Sequence, residues 1–101
     1  MLSAGSTTIN VSQEQAIQIA KSYVKNYSWN VNGIEVSNVT VLETPVSVQF
    51  SPHPRDQFLT LIPYWYVILS LDRVYPGGVT RIAVGVWADT GEVANIQTLS
   101  G

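Results

Sequence analysis

Asp89, Thr90 and Gly91 form a triplet that is typical of one kind of catalytic site. Asp-Thr-Gly carries the catalytic carboxylate of aspartic proteases, in which two aspartates share one proton. That chemistry needs a flap hairpin and a second half-site beyond the triplet, but only ten residues follow Gly91. Glu92 also stands where the protease pattern has a small residue. The segment 87–93, WADTGEV, joins two alternating apolar segments, so we predict a β-hairpin turn in which Gly91 takes a positive φ.

His53 is the only histidine of the chain, and with Asp56 it forms an H-x-x-D pair on a proline-rich segment. A metal site needs three or four converging ligands, so no metal site is predicted and His53 is expected on an exposed loop. The chain has no cysteine, which excludes thiol nucleophiles, zinc–thiolate sites and disulfides. It also has no G-x-S-x-G elbow. We therefore expect no catalytic residue and no cofactor; a hydrolase using Asp89 or His53 would need a cleft of convergent titratable groups.

Aromatic side chains are a more promising feature, because three tryptophans and five tyrosines are many for this length. Core packing accounts for most of them. Alternation along 64–72 and 81–88 places four side chains on one face of a sheet, which we call the open face: Tyr64, Tyr66, Arg81 and Trp87. An exposed aromatic patch beside an arginine is typical of protein or peptide contacts, so we predict binding there. The alternative is that a neighbouring domain or a second copy covers this face.

One helix must precede the sheet that positions these residues. Ser12 and Gln15 have the spacing of a capping box. Apolar residues then recur at three- and four-residue steps, which predicts an amphipathic helix over 12–27. The segment NYSWNVNG (26–33) ends it.

Period-two patterns predict the strands. They cover 34–42, with a phase slip near Ser37 and Asn38 that indicates a β-bulge, and then 46–50, 64–72, 81–88 and 92–99. The segment SPHPRDQ (51–57) is expected to be a loop and RVYPGGVT (73–80) a turn. The order predicts an α+β fold, with one N-terminal helix packed on a four-or-so-stranded antiparallel sheet in two layers. Residues 1–11 are expected to form a flexible N-terminal segment and 12–101 a single domain.

Charge argues against nucleic acid as a partner, and hydropathy argues against a membrane-spanning helix in this sequence. Charged residues make up 12% of the chain, the net charge is −2, and no basic stripe exists, so we expect no binding to nucleic acid. No apolar run reaches the roughly 18 residues that a membrane span needs. The opening MLSAGSTTIN is unlike a signal peptide and indicates a domain excised from a longer protein, in which case any anchor or export signal would have been removed.

Three asparagines, Asn10, Asn26 and Asn38, match the N-x-[ST] glycosylation pattern. Three matches in a short chain indicate an exported, glycosylated protein. The alternative is that Asn10 or Asn26 simply caps or ends the helix.

The same segments resemble a PepSY-type domain. SQEQAIQIAKSYV (12–24) is similar to the opening helix of that family, Trp65-Tyr66-Val67 to its W-x-V strand, and VGVWADTGEV (84–93) to its closing hairpin. The match follows the family's order over roughly three quarters of the chain. Trp87 stands where the family often has aspartate, and the segment 45–62 with its three prolines is longer than the family's connection.

PepSY-type domains occur in propeptides of thermolysin-like metalloproteases and in membrane-anchored or exported proteins, where they inhibit or chaperone peptidases or bind ligands. The resemblance implies a non-catalytic extracytoplasmic module that binds protein or peptide, including a peptidase, within a membrane-anchored or secreted parent protein. The alternative is a structural spacer in a larger surface protein, without a ligand of its own. An edge strand, 34–42 or 92–99, could also pair with a second copy, and the sequence gives no basis for choosing.

Overall fold

A computed structural model describes residues 9–54 and 61–100. The elements in chain order are α1 (Gln13–Lys25), β1 (Trp29–Val31), β2 (Ile34–Val36), β3 (Ser47–Pro54), β4 (Leu61–Tyr75), β5 (Val79–Trp87) and β6 (Val93–Ser100). β1 and β2 form a two-stranded antiparallel sheet, and the other strands form a four-stranded antiparallel sheet in the order β3-β4-β5-β6. The predicted α+β fold of one helix on an antiparallel sheet is confirmed.

The capping box predicted for α1 is present. The Ser12 hydroxyl accepts from the Gln15 amide at 3.2 Å, and the Ser12 amide donates to the Gln15 side chain at 2.8 Å. At the other end, the Asn26 amide donates to the carbonyls of Tyr23 and Val24 and ends the helix. Both backbone ends are thus satisfied locally, and the helix stops before the predicted residue 27.

The helix packs on one face of β4 and β5, and the main core lies between them. Small residues four apart on α1 let the helix approach the sheet closely, and alternate residues of the two strands fill the interface. Fully buried members of this core are Ala16, Ala20, Val24, Val67, Leu69, Ile82, Val84 and Val86. The aliphatic face predicted for the central strands is therefore the helix-side face.

The hairpin β1–β2 was not predicted. Asn32 and Gly33 connect its strands with φ values of 51° and 85°, as a type I′ turn requires. β2 ends at Val36, and Asn38 adopts a φ of 56° before Val41 pairs with Leu71. The expected bulge within one strand over 34–42 is wrong, because the phase slip marks the end of β2 and a bend in the chain.

β3 continues through residues that were expected to form a loop. It runs to Pro54, so the prediction of a loop is wrong for 51–54. Pro52 lies opposite Pro63 and Pro54 opposite Leu61 at the edge of the sheet. Proline has no N–H, and an edge strand tolerates it where the nitrogen faces away from the sheet. Asp56, the second member of the predicted H-x-x-D pair, lies outside the described residues.

Asp89, Thr90 and Gly91 form the turn between β5 and β6, as predicted. The Gly91 amide donates to the Trp87 carbonyl at 2.8 Å, and the Trp87 amide donates to the Glu92 carbonyl at 2.9 Å. Gly91 has a φ of 81°, which is the positive value expected of it.

The ordered part of the domain begins before residue 12. The amides of Asn10 and Val11 both donate to the Ala88 carbonyl, at 2.8 and 2.9 Å. Val11 is 7% exposed, and its carbonyl accepts a hydrogen bond from Trp65 Nε1 at 2.8 Å. Asn10 and Val11 thus contact the domain, whereas residues 1–8 of the predicted flexible segment 1–11 lie outside the described residues.

Candidate functional site

The strand register brings the predicted binding residues to one face of the sheet. Tyr64 lies opposite Trp87, Tyr66 opposite Gly85, and Arg81 opposite Ser70. Residues directly opposite in an antiparallel pair point to the same face. Since α1 packs against the residues of the other parity, these side chains lie on the open face, away from the helix.

Tyr64 is on that face but is not exposed, which corrects the expectation of a fully exposed patch. Its side chain is 5% exposed and crosses β5 above Gly85, where an added β-carbon would collide with the Tyr64 hydroxyl. The hydroxyl donates to Asn95 Oδ1 on β6 at 3.2 Å. Burial raises the pKa of the Tyr64 phenol, because the phenolate would lose its hydration. Tyr64 thus forms the floor of the face.

Three rings line up across three strands, and we call His53, Tyr64 and Trp87 the aromatic row. The ring centroids of His53 and Tyr64 are 4.4 Å apart, and those of Tyr64 and Trp87 are 5.1 Å apart in an edge-to-face arrangement. The Tyr64–Trp87 distance falls in the range in which aromatic pairs attract each other, and the His53–Tyr64 distance lies at its short end. His53 was expected on a loop, so the sequence did not place it here. The signal that could have placed it is its position two residues after Ser51 and four after Gln49, because alternate residues of a strand share one face.

Tyr66 and Arg81 occupy different parts of the open face. Tyr66 is half-buried and lies beside the aromatic row, two residues from Tyr64 on β4. Arg81 is half-buried, but it is six residues from Trp87 on β5, which corresponds to roughly 20 Å along a strand. The predicted patch is therefore divided: Tyr66 adjoins the aromatic row, whereas Arg81 lies at the far end of the strand.

The two edge strands border this face with uncharged polar side chains that the sequence had not singled out. They are Gln49 and Ser51 on β3, opposite Tyr66 and Tyr64, and Asn95 and Gln97 on β6, opposite Gly85 and Ala83. Amide and hydroxyl groups both donate and accept hydrogen bonds. The face therefore offers aromatic packing at its centre and neutral hydrogen bonding at its border.

Asp89 lies at a hairpin corner. Its carbonyl accepts from Asn10 Nδ2 at 2.9 Å, which ties the start of the domain to this turn. Among residues 9–54 and 61–100, no group of three or more His, Asp and Glu side chains could hold a metal ion.

The three asparagines of the sequons are all exposed. Asn10 Nδ2 donates to the Asp89 carbonyl, and Asn26 Nδ2 donates to the Ser22 carbonyl at 3.2 Å. These side-chain nitrogens are the atoms that would carry a glycan. Asn26 is also the C-cap of α1, as the alternative interpretation has it.

A surface groove of about 820 Å³ follows the N-terminal half of α1, between Ile17, Lys21 and the loop at Pro45. Lys21 Nζ donates to the Glu43 carbonyl across it at 2.7 Å. None of the described residues that line this groove is aromatic. The open face, with its preformed ring contacts, is therefore the stronger candidate for a binding site.

Comparison with protein-family models, with curated proteins and with solved structures finds no match to this chain. In the part of the chain that the structure describes, no helix has the length and apolar character needed to cross a membrane.

Proposed function

We propose that this chain is a non-catalytic, extracytoplasmic module of PepSY type that binds protein or peptide on the open face. The observation that carries the proposal is the aromatic row. Its central ring is buried and hydrogen-bonded to Asn95, and its outer rings pack against that centre from neighbouring strands.

Such an arrangement favours binding because the contact side chains are held in place before a partner arrives. Tyr64 fixes Trp87 by an edge-to-face contact, and Trp87 keeps part of its surface exposed. A rigid aromatic side chain loses little conformational entropy on binding, which is why tryptophan and tyrosine dominate binding energy in protein interfaces. The amide side chains at the border suit the main-chain groups of a peptide.

The family and the location rest on other support. The segments that resemble PepSY domains form α1 and the β5–β6 hairpin, in the order of the resemblance. The three sequons support an exported protein. The resemblance implies a peptidase as the partner and inhibition of that peptidase as the function.

The test is selection of peptides from a random display library on the immobilised chain, followed by affinity measurement on variants. We expect Trp87→Ala to weaken the selected peptides by about 30-fold, the effect of losing an interface hot spot. Phe50→Ala is the matched control, because Phe50 is also aromatic and 44% exposed but lies on the helix-side face beside Trp65. It should leave the affinity unchanged.

Peptides that bind Trp87→Ala as tightly as the unaltered chain would contradict the proposal, as would a library that yields no binders. The second result corresponds to the structural spacer. Inhibition of a thermolysin-like metallopeptidase by the chain, lost in Trp87→Ala and kept in Phe50→Ala, would identify the class of partner.

A further inference from the structure

β6 has a free edge, which is the side on which no strand of the described residues pairs with it. β6 is the last strand of the sheet, and its sequence VANIQTLS contains no charged residue and no proline. Lysine and proline are the residues that natural proteins use to keep an edge strand from pairing with another chain. β6 has neither.

The hydrogen bonds at the end of β5 show which of its residues face β6. Trp87 N–H donates to the Glu92 carbonyl, on the β6 side of the hairpin, whereas Ala88 N–H donates to the Pro63 carbonyl, on the β4 side. Main-chain groups alternate in direction along a strand. The odd-numbered residues of β5 therefore exchange hydrogen bonds with β6.

This alternation shows which main-chain groups of β6 do not bond to β5. Ala83 lies opposite Gln97, so Gln97 and the alternate residues around it bond to β5. Ile96 and Thr98 lie between them and turn their N–H and C=O groups to the free edge. β6 thus presents a row of donors and acceptors to which no strand of the described residues is paired.

The opposite edge of the sheet is blocked. The Ile68 carbonyl accepts from Val46 N–H, just before β3, so the even-numbered residues of β4 direct their main-chain groups toward β3. Ser47 lies opposite Ile68. The odd-numbered residues of β3 therefore bond to β4, and the even-numbered ones direct their main-chain groups outward. Two of these, Pro52 and Pro54, have no N–H to offer. The two edges therefore differ: a strand can be added at β6 but not along the C-terminal half of β3.

We propose that β6 pairs antiparallel with β6 of a second copy of this chain, joining the two sheets into one. A foreign peptide added to an edge is selected through side-chain pockets beside that edge. The groove along α1 and two smaller grooves beside the same helix are lined by no β6 residue. A second copy needs no such pocket, and the uncharged strand meets no like charge in its own copy.

The symmetry of this contact decides how the open faces are arranged. An antiparallel pair of identical strands is related by a twofold axis perpendicular to the sheet, so both helices lie on one side and both open faces on the other. The dimer would present two aromatic rows on one continuous surface. The pairing itself rests on the edge and not on the proposed function.

The experiment is sedimentation velocity over a concentration series, with amide hydrogen exchange on the same samples. We expect the sedimenting mass to double from the 11.1 kDa of the chain as concentration rises. The amides of Ile96 and Thr98 should become protected over the same range. Val48 and Phe50, whose amides point out from β3, are the internal control and should stay unprotected.

Thr98→Pro removes one outward donor and leaves the bonds to β5 intact, so this variant should remain monomeric. Thr98→Val keeps the N–H and should dimerise like the unaltered chain. The proposal is overturned by a monomer at every concentration, by a dimer whose Ile96 and Thr98 amides stay unprotected, or by protection that needs an added peptide. If Thr98→Pro does not fold, the exchange pattern of the unaltered chain decides.

Discussion

Gly85 and Tyr64 are close neighbours on the open face. Gly85 is buried, and the Tyr64 ring passes above it to reach Asn95. Any side chain at position 85 meets the tyrosine hydroxyl and the Asn95 amide. We expect Gly85→Ala to lower the free energy of unfolding by about 1–3 kcal/mol, as overpacking usually does. Urea unfolding followed by circular dichroism measures the change.

The tyrosine can be removed to test this cause. In a Tyr64→Ala background, the alanine at position 85 no longer meets a ring, so the added loss from Gly85→Ala should be much smaller. Equal losses in the two backgrounds would show that the contact with Asn95 Oδ1, and not the ring, excludes a side chain at position 85.

Two tryptophans differ in whether their indole N–H has a partner. Trp65 Nε1 donates to the Val11 carbonyl at 2.8 Å. Trp29 Nε1 is buried and has no hydrogen-bond partner among the described residues. Trp65→Phe leaves a carbonyl unpaired, whereas Trp29→Phe removes an unsatisfied donor. We therefore expect Trp65→Phe to be more destabilising than Trp29→Phe by about 1–2 kcal/mol in urea unfolding. A larger loss for Trp29→Phe would contradict this account.

The helix and the central strands were predictable because their signals are local. Ser12 and Gln15 predict the helix cap, and the alternation in β4 and β5 predicts which side chains pack against the helix. The hairpin at Asn32 and Gly33 had an equally local signal, since Asn-Gly is the commonest type I′ turn. It was missed because the segment was assigned to the end of the helix.

Other features depend on tertiary position, which the sequence does not contain. Pro52 and Pro54 would each remove a hydrogen bond from a strand that is paired on both sides. β3 tolerates them because it lies at the edge of the sheet. In the same way, alternation assigned Tyr64 to the open face. Its burial depends on Gly85 and Asn95, which come from two other strands.

The long end of β4 is held by a network around Tyr75. Its hydroxyl donates to Asp72 Oδ1 at 2.6 Å and accepts from the Thr40 amide at 3.0 Å, while Arg73 pairs with the same carboxylate at 2.9 Å. The Tyr75 hydrogen bond and Arg73 lower the pKa of Asp72 below its usual value of 3.8. A lowered pKa in the folded state stabilises the fold above 3.8, and this contribution is lost as pH falls through the folded-state value.

We therefore expect Tyr75→Phe to destabilise the chain at pH 7 and to differ less from the unaltered chain in strong acid. A part of the difference should persist there, because the bond from Thr40 does not depend on the carboxylate. Urea midpoints across the acid range measure this. Tyr23→Phe is the control, since Tyr23 is 43% exposed on the helix. A loss from Tyr75→Phe that stays constant with pH would show that Asp72 has no part in it.

The molecule as a whole divides its apolar residues between two unlike surfaces. Aliphatic side chains fill the helix-side core, and rings with neutral polar neighbours cover the open face. Charged residues are only 12% of the chain, so amide and hydroxyl groups border both the open face and the β6 edge. Contacts of this kind depend on packing and hydrogen bonding more than on charge, and binding through them should vary little with salt.

The boundary of the domain follows from contacts that join its beginning to the end of β5. Asn10 and Val11 bond to Ala88, and Val11 is buried beneath Trp65. A chain beginning at Ser12 lacks these contacts, although it keeps the capping box of α1. Burial of one valine contributes about 1.5–3 kcal/mol and each hydrogen bond about 1 kcal/mol. We expect this chain to be less stable than one beginning at Ile9 by about 4.5–6 kcal/mol, from the valine and the three hydrogen bonds together. Both should be N-terminally acetylated, because a free amine at Ser12 would oppose the helix dipole. Equal urea midpoints would place the boundary at Ser12 after all.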